Sequence, residues 1–449
     1  MSDNSSDSSQ GKHGDIAKKL TRYFWFLAAF FHLIWLIILQ PGVFLIHGPL
    51  HFRRIWQRLW NEYLAYSIED RIISPATILF FTRSKSMNEH IWLKVWQRRR
   101  YENGNQNTEN RQWERDIDNL LDGWDFNRRF APGVYMGIAP IKELHEEAHL
   151  IQRGRLMFLP TKSSLKPGTE YVLVMRHLPE NQRLDKQLIA CSSSTLEERM
   201  EFLAKEVARV HKRLKKSPED MGTYKSLSSK LSLNAGLFER ALDQLASMDE
   251  DQNLDISEYR TIIQLLKKAC SEYEPLFNER YSGGHIRRCH GDLKTTNLWV
   301  RPEKKLWRFK RSAQQLLLLD CVDFRPDFCH IDTLSDIAML AVDIEARLSH
   351  ESRNGDQALS LSQRFLNFYL DGVQENGELF WSLLEYYMSE KAIVCTYVSI
   401  LFDNKPEMGK EYLKIALSHA SRLKNLQDPV EKMPAPQKEE AGVVHSYSN

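Results

Sequence analysis

The stretch His290-Gly291-Asp292-Leu293-Lys294-Thr295-Thr296-Asn297 sets an Asp and an Asn five residues apart, and the apolar run Leu316 to Leu319 downstream ends in Asp320. Few chemistries call for that polar layout. In phosphoryl transfer one carboxylate accepts or orients the acceptor hydroxyl's proton, while an amide and a second carboxylate hold magnesium on the nucleotide phosphates. Carboxylate and amide oxygens suit this hard cation, which keeps several waters and needs few protein ligands. The pattern assigns Asp292 as base or orienting residue, and Asn297 and Asp320 as metal ligands. His290 is expected to brace the loop through hydrogen bonds. A His-x-Asp-x-x-x-x-Asn pattern alone arises by chance; the leucine run and its terminal Asp make the combination specific.

Length and charge set the outer bounds. At 449 residues and 42% hydrophobic, the chain can bury a large core and should hold two lobes. The formal net charge of +2 gives no global field toward nucleic acid, so nucleic acid is excluded as a partner. Six cysteines occur without a CxxC pair or ligand-like spacing with His, which reads as free thiols in a reducing compartment.

The motif resembles the aminoglycoside phosphotransferase-like branch of the protein-kinase-like superfamily. Ile331-Asp332-Thr333-Leu334-Ser335-Asp336-Ile337-Ala338 is similar to that family's Asp-Leu-Ala segment behind the catalytic loop. Nearest in pattern is a group of uncharacterised bacterial proteins, through Arg288-Cys289-His290-Gly291-Asp292-Leu293, Asp320 to Phe324, and residues 126–141. The likeness covers most of residues 70–345.

This resemblance implies an α+β, two-lobed protein-kinase-like fold with a mostly helical C-terminal lobe. It implies ATP or GTP and Mg2+ as cofactors. Lys94, on the alternating strand Ile91 to Trp96, matches the lysine that holds the α and β phosphates. An acid on the helix at 109–129 should pair with it, and spacing favours Asp118 or Glu114 over Asp122. The strand Tyr171 to Arg176 resembles the interlobe hinge, where backbone around Val174 to Arg176 would meet the adenine. Lys294 matches the lysine that meets the transferred phosphate. Asp323 would touch a second metal or the loop, and Asp336 would support the catalytic loop as an N-terminal helix charge. One departure stands out: no Gly-rich loop precedes the lysine strand, and the hairpin tip near Arg83 to Glu89 offers Ser and Asn instead.

Read in order, residues 1–22 form a polar and basic tail, with no apolar period over 1–16. Residues 23–52 are a hydrophobic membrane-associating segment, since Tyr23 to Leu39 carries no charge. That run is a little short of the ~20 residues of a comfortable span. Basic residues flank both sides (Lys18, Lys19 and Arg22; Arg53, Arg54 and Arg58), which favours a membrane-dipping hairpin around Pro41-Gly42 over a single span. The alternative is an aromatic element packed on the fold. Residues 53–178 form the small nucleotide-binding lobe, opening with a helix over Ile55 to Tyr66. Strands are expected at Pro75 to Phe81, Tyr135 to Ile141 and Leu156 to Phe158. Residues 179–428 form the helical catalytic lobe, broken near Lys216 to Thr223 and Asp249 to Asn253, and 429–449 a disordered tail.

The functional expectation is transfer of a γ-phosphate to a hydroxyl of a small-molecule or lipid-linked acceptor, at the cytoplasmic face of the membrane, with membrane lipid as partner through residues 23–52. The alternative is a membrane-anchored pseudokinase scaffold with weak or no catalysis.

Overall fold

Strand-forming sequence dominates the first part of the chain and helical periodicity the rest, and the fold keeps that division. The computed structural model describes residues 64–427, apart from 74–76, 85–89, 97–105, 146–148, 168, 249–255, 303–313, 323–324, 353 and 376–377. Six antiparallel strands close into a barrel in the order β1 (Leu64–Ile73), β2 (Thr77–Ser84), β3 (His90–Trp96), β6 (Tyr171–Arg176), β4 (Tyr135–His145) and β5 (Leu150–Arg153). Alternation decides what fills it: Phe80, Leu93, Val172 and Val174 point inward with Tyr66 and Ile151. Helix α1 (Gln106–Phe130) crosses between β3 and β4.

The expected helix over Ile55 to Tyr66 is corrected where it can be seen. Leu64 to Tyr66 opens β1, and Tyr66 pairs with Ser84 and Ile151, buried in the barrel. Leu156 to Phe158 is likewise no strand: Met157 makes a single bridge to Ile138, and Leu150–Arg153 supplies the strand instead. The hydrophobic segment 23–52 lies outside the described residues. Among the described helices none is long and apolar enough to cross a membrane.

The helical part contains α2 (Leu184–Ala190), α3 (Ser193–Arg213), α4 (Tyr224–Met248), α5 (Ile256–Glu272), α6 (Glu274–Ser282), α7 (Pro326–Cys329), α8 (Thr333–Ser352), α9 (Gly355–Val373), α10 (Glu378–Leu401) and α11 (Pro406–Gln427). Two small ribbons sit among them: β7 (Ile286–Arg288) with β10 (His330–Asp332), and β8 (Leu298–Pro302) with β9 (Gln314–Leu318). Helix α8 is buried almost all round, as a helix at the centre of a core must be. Its buried acids, Asp336, Asp343 and Glu345, therefore need polar partners inside the protein.

The leucine run joins the barrel to the helices. Leu316 and Leu318 pack into the helical core, while Leu317 and Leu319 pack against α1, β4 and β6. Both faces of this strand are buried, which is why it reads as a continuous apolar run rather than an alternation. Asp320 emerges at its end, between the two parts. All six cysteines are free thiols, five of them buried.

Candidate functional site

The loop between β7 and β8 carries the motif, and its backbone is tied down from below by helix α8. Asp336 accepts the His290 N–H at 3.1 Å and the Gly291 N–H at 2.9 Å, and His211 Nε2 approaches the same carboxylate at 3.2 Å. Seven residues on, and so two turns along the same face, Asp343 accepts the Thr295 N–H at 2.7 Å and its hydroxyl at 2.5 Å. Tyr412 donates its hydroxyl to the other Asp343 oxygen. Burial alone would raise both acids; His211 and the loop amides at Asp336, and Arg347, Thr295 and Tyr412 at Asp343, outweigh it and hold both below the usual carboxylate range. Gly291 sits at φ +82°, and a Cβ there would lie 2.7 Å from the Phe328 carbonyl oxygen, so the turn needs glycine.

His290 is a brace, as its place in the motif suggests. Its Nδ1 accepts the Asp292 N–H at 3.3 Å while its Nε2 donates to the Leu319 carbonyl at 2.9 Å. One ring thus spans from Asp292 to the residue preceding Asp320. It is buried and is not among the residues that line the cavity described below.

Asp292 is half-buried and held from two sides. Asn297 Nδ2 donates to its carbonyl at 2.9 Å and to Oδ2 at 3.0 Å, and the Lys294 ammonium lies 2.8 Å from Oδ1. Burial opposes the charge on Lys294, yet Asp292 beside it more than compensates and keeps the ammonium above its ordinary range. Because Asn297 uses its amide nitrogen on Asp292, its amide oxygen remains for a cation.

Asp320 takes a left-handed conformation, φ +60°, uncommon for a residue with a side chain and often found where function over-determines the backbone. Two side chains from the barrel side fix it: Asp320 N–H donates to the Tyr135 hydroxyl at 2.7 Å, and Cys321 N–H donates to Asn127 Oδ1 at 2.9 Å. The carboxylate receives the Lys94 ammonium at 2.8 Å through Oδ1. The protein crowded around its carboxylate would raise this acid even though the side chain keeps contact with water, and Lys94 outweighs that to hold it low. Lys94, Asp292, Lys294 and Asp320 all line one cavity of about 330 Å³.

Two expectations about the nucleotide side are corrected. Among the described residues the acid that meets Lys94 is Asp320, and neither Asp118 nor Glu114 does. Asp118 faces Lys162 at 2.9 Å on the surface, Glu114 is exposed, and Asp122 pairs with Arg288. The helical row of acids does share a face, but that face is turned to solvent and to the loops beside it. Val174 and Arg176 are also less open than a hinge requires. Val174 lies mid-strand between Leu93 and Gly137, so its backbone groups face neighbouring strands, and the Arg176 N–H donates to the Val134 carbonyl at 2.9 Å. Asp323 lies outside the described residues, as does the hairpin tip at 85–89.

The donor set of Asn297 Oδ1 and the Asp320 carboxylate is all oxygen, which fits Mg2+ and would not suit a softer metal. Sequence reasoning missed Asn127, Tyr135 and Asp343. Asp343 had a legible signal: an acid inside an otherwise apolar helix, two turns from Asp336. Asn127 and Tyr135 had none, because what they bind is backbone far along the chain.

With the geometry in place, comparisons add little weight. No protein-family model matches the chain. Uncharacterised proteins of Mycobacterium tuberculosis and Mycobacterium bovis are 23% identical over 303 residues, covering 66% of this chain and 50% of theirs. The chain thus spans about half the length of the curated relatives it matches. Among solved structures it is similar to an ethanolamine kinase of Plasmodium vivax (12% identity, 81% of this chain and 84% of that one, TM-score 0.38). It is also similar to a choline kinase of Cryptosporidium parvum (13%, 84% and 92%, TM-score 0.40) and to a glucosamine kinase (11%, 82% and 81%, TM-score 0.40). At such identity and overlap, a functional reading has to stand on the site.

Proposed function

We propose that the protein is a Mg2+-dependent phosphotransferase that moves the γ-phosphate of ATP or GTP to a hydroxyl of a small-molecule acceptor. The observation that carries this is the meeting of Lys94, Asp292 and Asp320 at one cavity, with Asn297 hydrogen-bonded to Asp292, delivered by β3, the motif loop and the end of the leucine strand. The motif's resemblance to aminoglycoside phosphotransferase-like proteins points the same way.

In this reading Asp292 hydrogen-bonds the acceptor hydroxyl and takes its proton as the oxygen attacks the γ-phosphorus. The bond from that phosphorus to the β–γ bridging oxygen breaks, and its electron pair leaves with the nucleoside diphosphate. Asn297 holds the Asp292 carboxylate in place through Nδ2, which fixes the direction of proton acceptance. Lys294 stands beside Asp292, where its charge opposes the negative charge gathering on the transferred group. Lys94, released from Asp320, meets the α and β phosphates. When bound at Asn297 and Asp320, Mg2+ supplies charge neutralisation of the phosphates. Adenine or guanine would meet the chain just beyond β6, at His177 and Leu178, rather than at Val174.

The hydrophobic segment 23–52 extends the proposal to the cytoplasmic face of a membrane, where a lipid-linked acceptor would be within reach. Mg2+-dependent nucleoside diphosphate release, measured across a panel of hydroxyl compounds for wild type and Asp292→Asn, tests the reading. Acceptor-dependent release that the substitution removes supports it; release that survives the substitution opposes it.

A further inference from the structure

Beyond Asp292 the cavity runs between α4 and α10, where an acceptor would lie if the phosphotransferase reading holds. At about 330 Å³ it stands at the low end of ligand-site volumes, room for a compact molecule rather than an oligosaccharide. Tyr224 and Phe277 line one wall, their rings stacked with centroids 6.3 Å apart.

The charges on its walls cancel in pairs. Lys94 meets Asp320 and Lys294 meets Asp292, each at 2.8 Å. Lys391 meets Glu390 at 2.8 Å, and Asp332 accepts from Arg280 at 2.7 Å. Glu390 is further held by Asn234, whose Nδ2 donates to it at 2.6 Å. Lys230 is the exception. Its ammonium donates to the Asp327 carbonyl at 2.9 Å, and among the described residues no carboxylate lies within ion-pair distance of it.

We propose that this cavity recognises a compact hydroxyl compound bearing an anionic oxygen group, a carboxylate or a phosphate, with Lys230 as the cation that selects it. The proposal rests on the phosphotransferase reading for which hydroxyl reacts, and on the wall charges for what the rest of the molecule carries. A polycationic acceptor would meet the ammonium groups of Lys230 and Lys391 with its own charge. Burial, with Lys391 adding repulsion that Glu390 and Asp327 only partly offset, pushes Lys230 down to about 8, a penalty that an arriving anion relieves.

The test is calorimetric binding of matched probes to the full chain: gluconate against sorbitol, glucose 6-phosphate against glucose, and glucosamine as the cationic arm. Wild type should bind at least one anion on the order of tenfold more tightly than its neutral match, as a charge-assisted hydrogen bond allows. Lys230→Met should erase that preference and Lys230→Arg should keep it. Which pair shows the effect distinguishes carboxylate from phosphate. Neutral or cationic probes binding as tightly as the anions, or a preference untouched by Lys230→Met, overturns the proposal. Thermal stabilisation by ATP with Mg2+, read on the same variants, reports the nucleotide site separately. Stabilisation without anion preference sinks only the acceptor proposal, whereas Lys230-dependent anion binding without stabilisation sinks the phosphotransferase reading and leaves the anion site standing.

Discussion

Lys94 and Asp320 meet at 2.8 Å although 226 positions separate them in the chain. The contact ties the barrel's third strand to the end of the leucine strand, and it joins two groups with unequal access to water. The Lys94 side chain is 7% exposed and the Asp320 side chain 56%. Asp320→Asn removes the carboxylate from a buried ammonium, whereas Lys94→Met leaves a carboxylate that water can reach. Asp320→Asn should therefore lower stability by about 2 kcal/mol and Lys94→Met by less than about 1 kcal/mol. Chemical denaturation of the two single variants and the double variant checks the order, and equal losses would contradict it.

Asp292 makes its bonds through the loop rather than the core. Asp292→Asn should keep the melting temperature within a few degrees of wild type and lower turnover by about 10² to 10⁴, the usual range for losing a positioned general base. Nucleotide affinity should be unchanged. A variant with wild-type turnover would remove Asp292 from the chemistry.

Asp336 links the loop at His290 and Gly291 to acid stability. Its folded value lies below the ordinary 3.8, despite burial, because His211 and the amides of His290 and Gly291 favour the ionised form. The contribution of a depressed carboxylate is present above pH 3.8 and is lost as pH falls through the lower folded value. Asp336→Ala should cost about 3 to 5 kcal/mol at neutral pH and flatten the acid limb of the stability curve. Urea unfolding between pH 2 and 7 reads both.

His419 works on the opposite limb. It is buried between Glu385 Oε2 at 2.5 Å and Glu345 Oε2 at 3.1 Å, joining α11 to α10 and α8. Burial would lower it, and the two glutamates raise it from 6.5 to about 9. Stability from a raised histidine is fully present below pH 6.5 and is lost as pH rises through about 9. The contribution is on the order of 3 kcal/mol. Melting temperatures should fall over that window in wild type and change less in His419→Gln.

Much of this site was legible before any coordinates, and the reason is local. Asp292, Lys294 and Asn297 lie within one loop, so their spacing fixes their relation. Asp320 follows from an apolar strand that must end where the core ends. What escaped the sequence is long-range. Nothing near Lys94 says that an acid at position 320 meets it, and a row such as Glu114, Asp118 and Asp122 reads alike whether it faces a lysine or water. The same holds for the backbone donors of Asp320 and Cys321, which find Tyr135 and Asn127 only because the barrel and the leucine strand pack together. The first strand was missed because the aromatic-rich run up to Tyr66 carries a helical period, and pairing on both sides in the barrel overrides it. The breaks between α3, α4 and α5 were readable, since polar turns interrupt the apolar period there.

The nucleotide site itself is tested most directly by thermal stabilisation of the full chain with ATP, with and without Mg2+, for wild type and Asp320→Ala. Binding at a hundred times the dissociation constant stabilises a protein by about 2.7 kcal/mol, a shift that melting curves resolve. A Mg2+-dependent rise in wild type that disappears in Asp320→Ala is the expected result. No shift in wild type at millimolar nucleotide, with or without Mg2+, would contradict a phosphotransferase and leave a scaffold in its place.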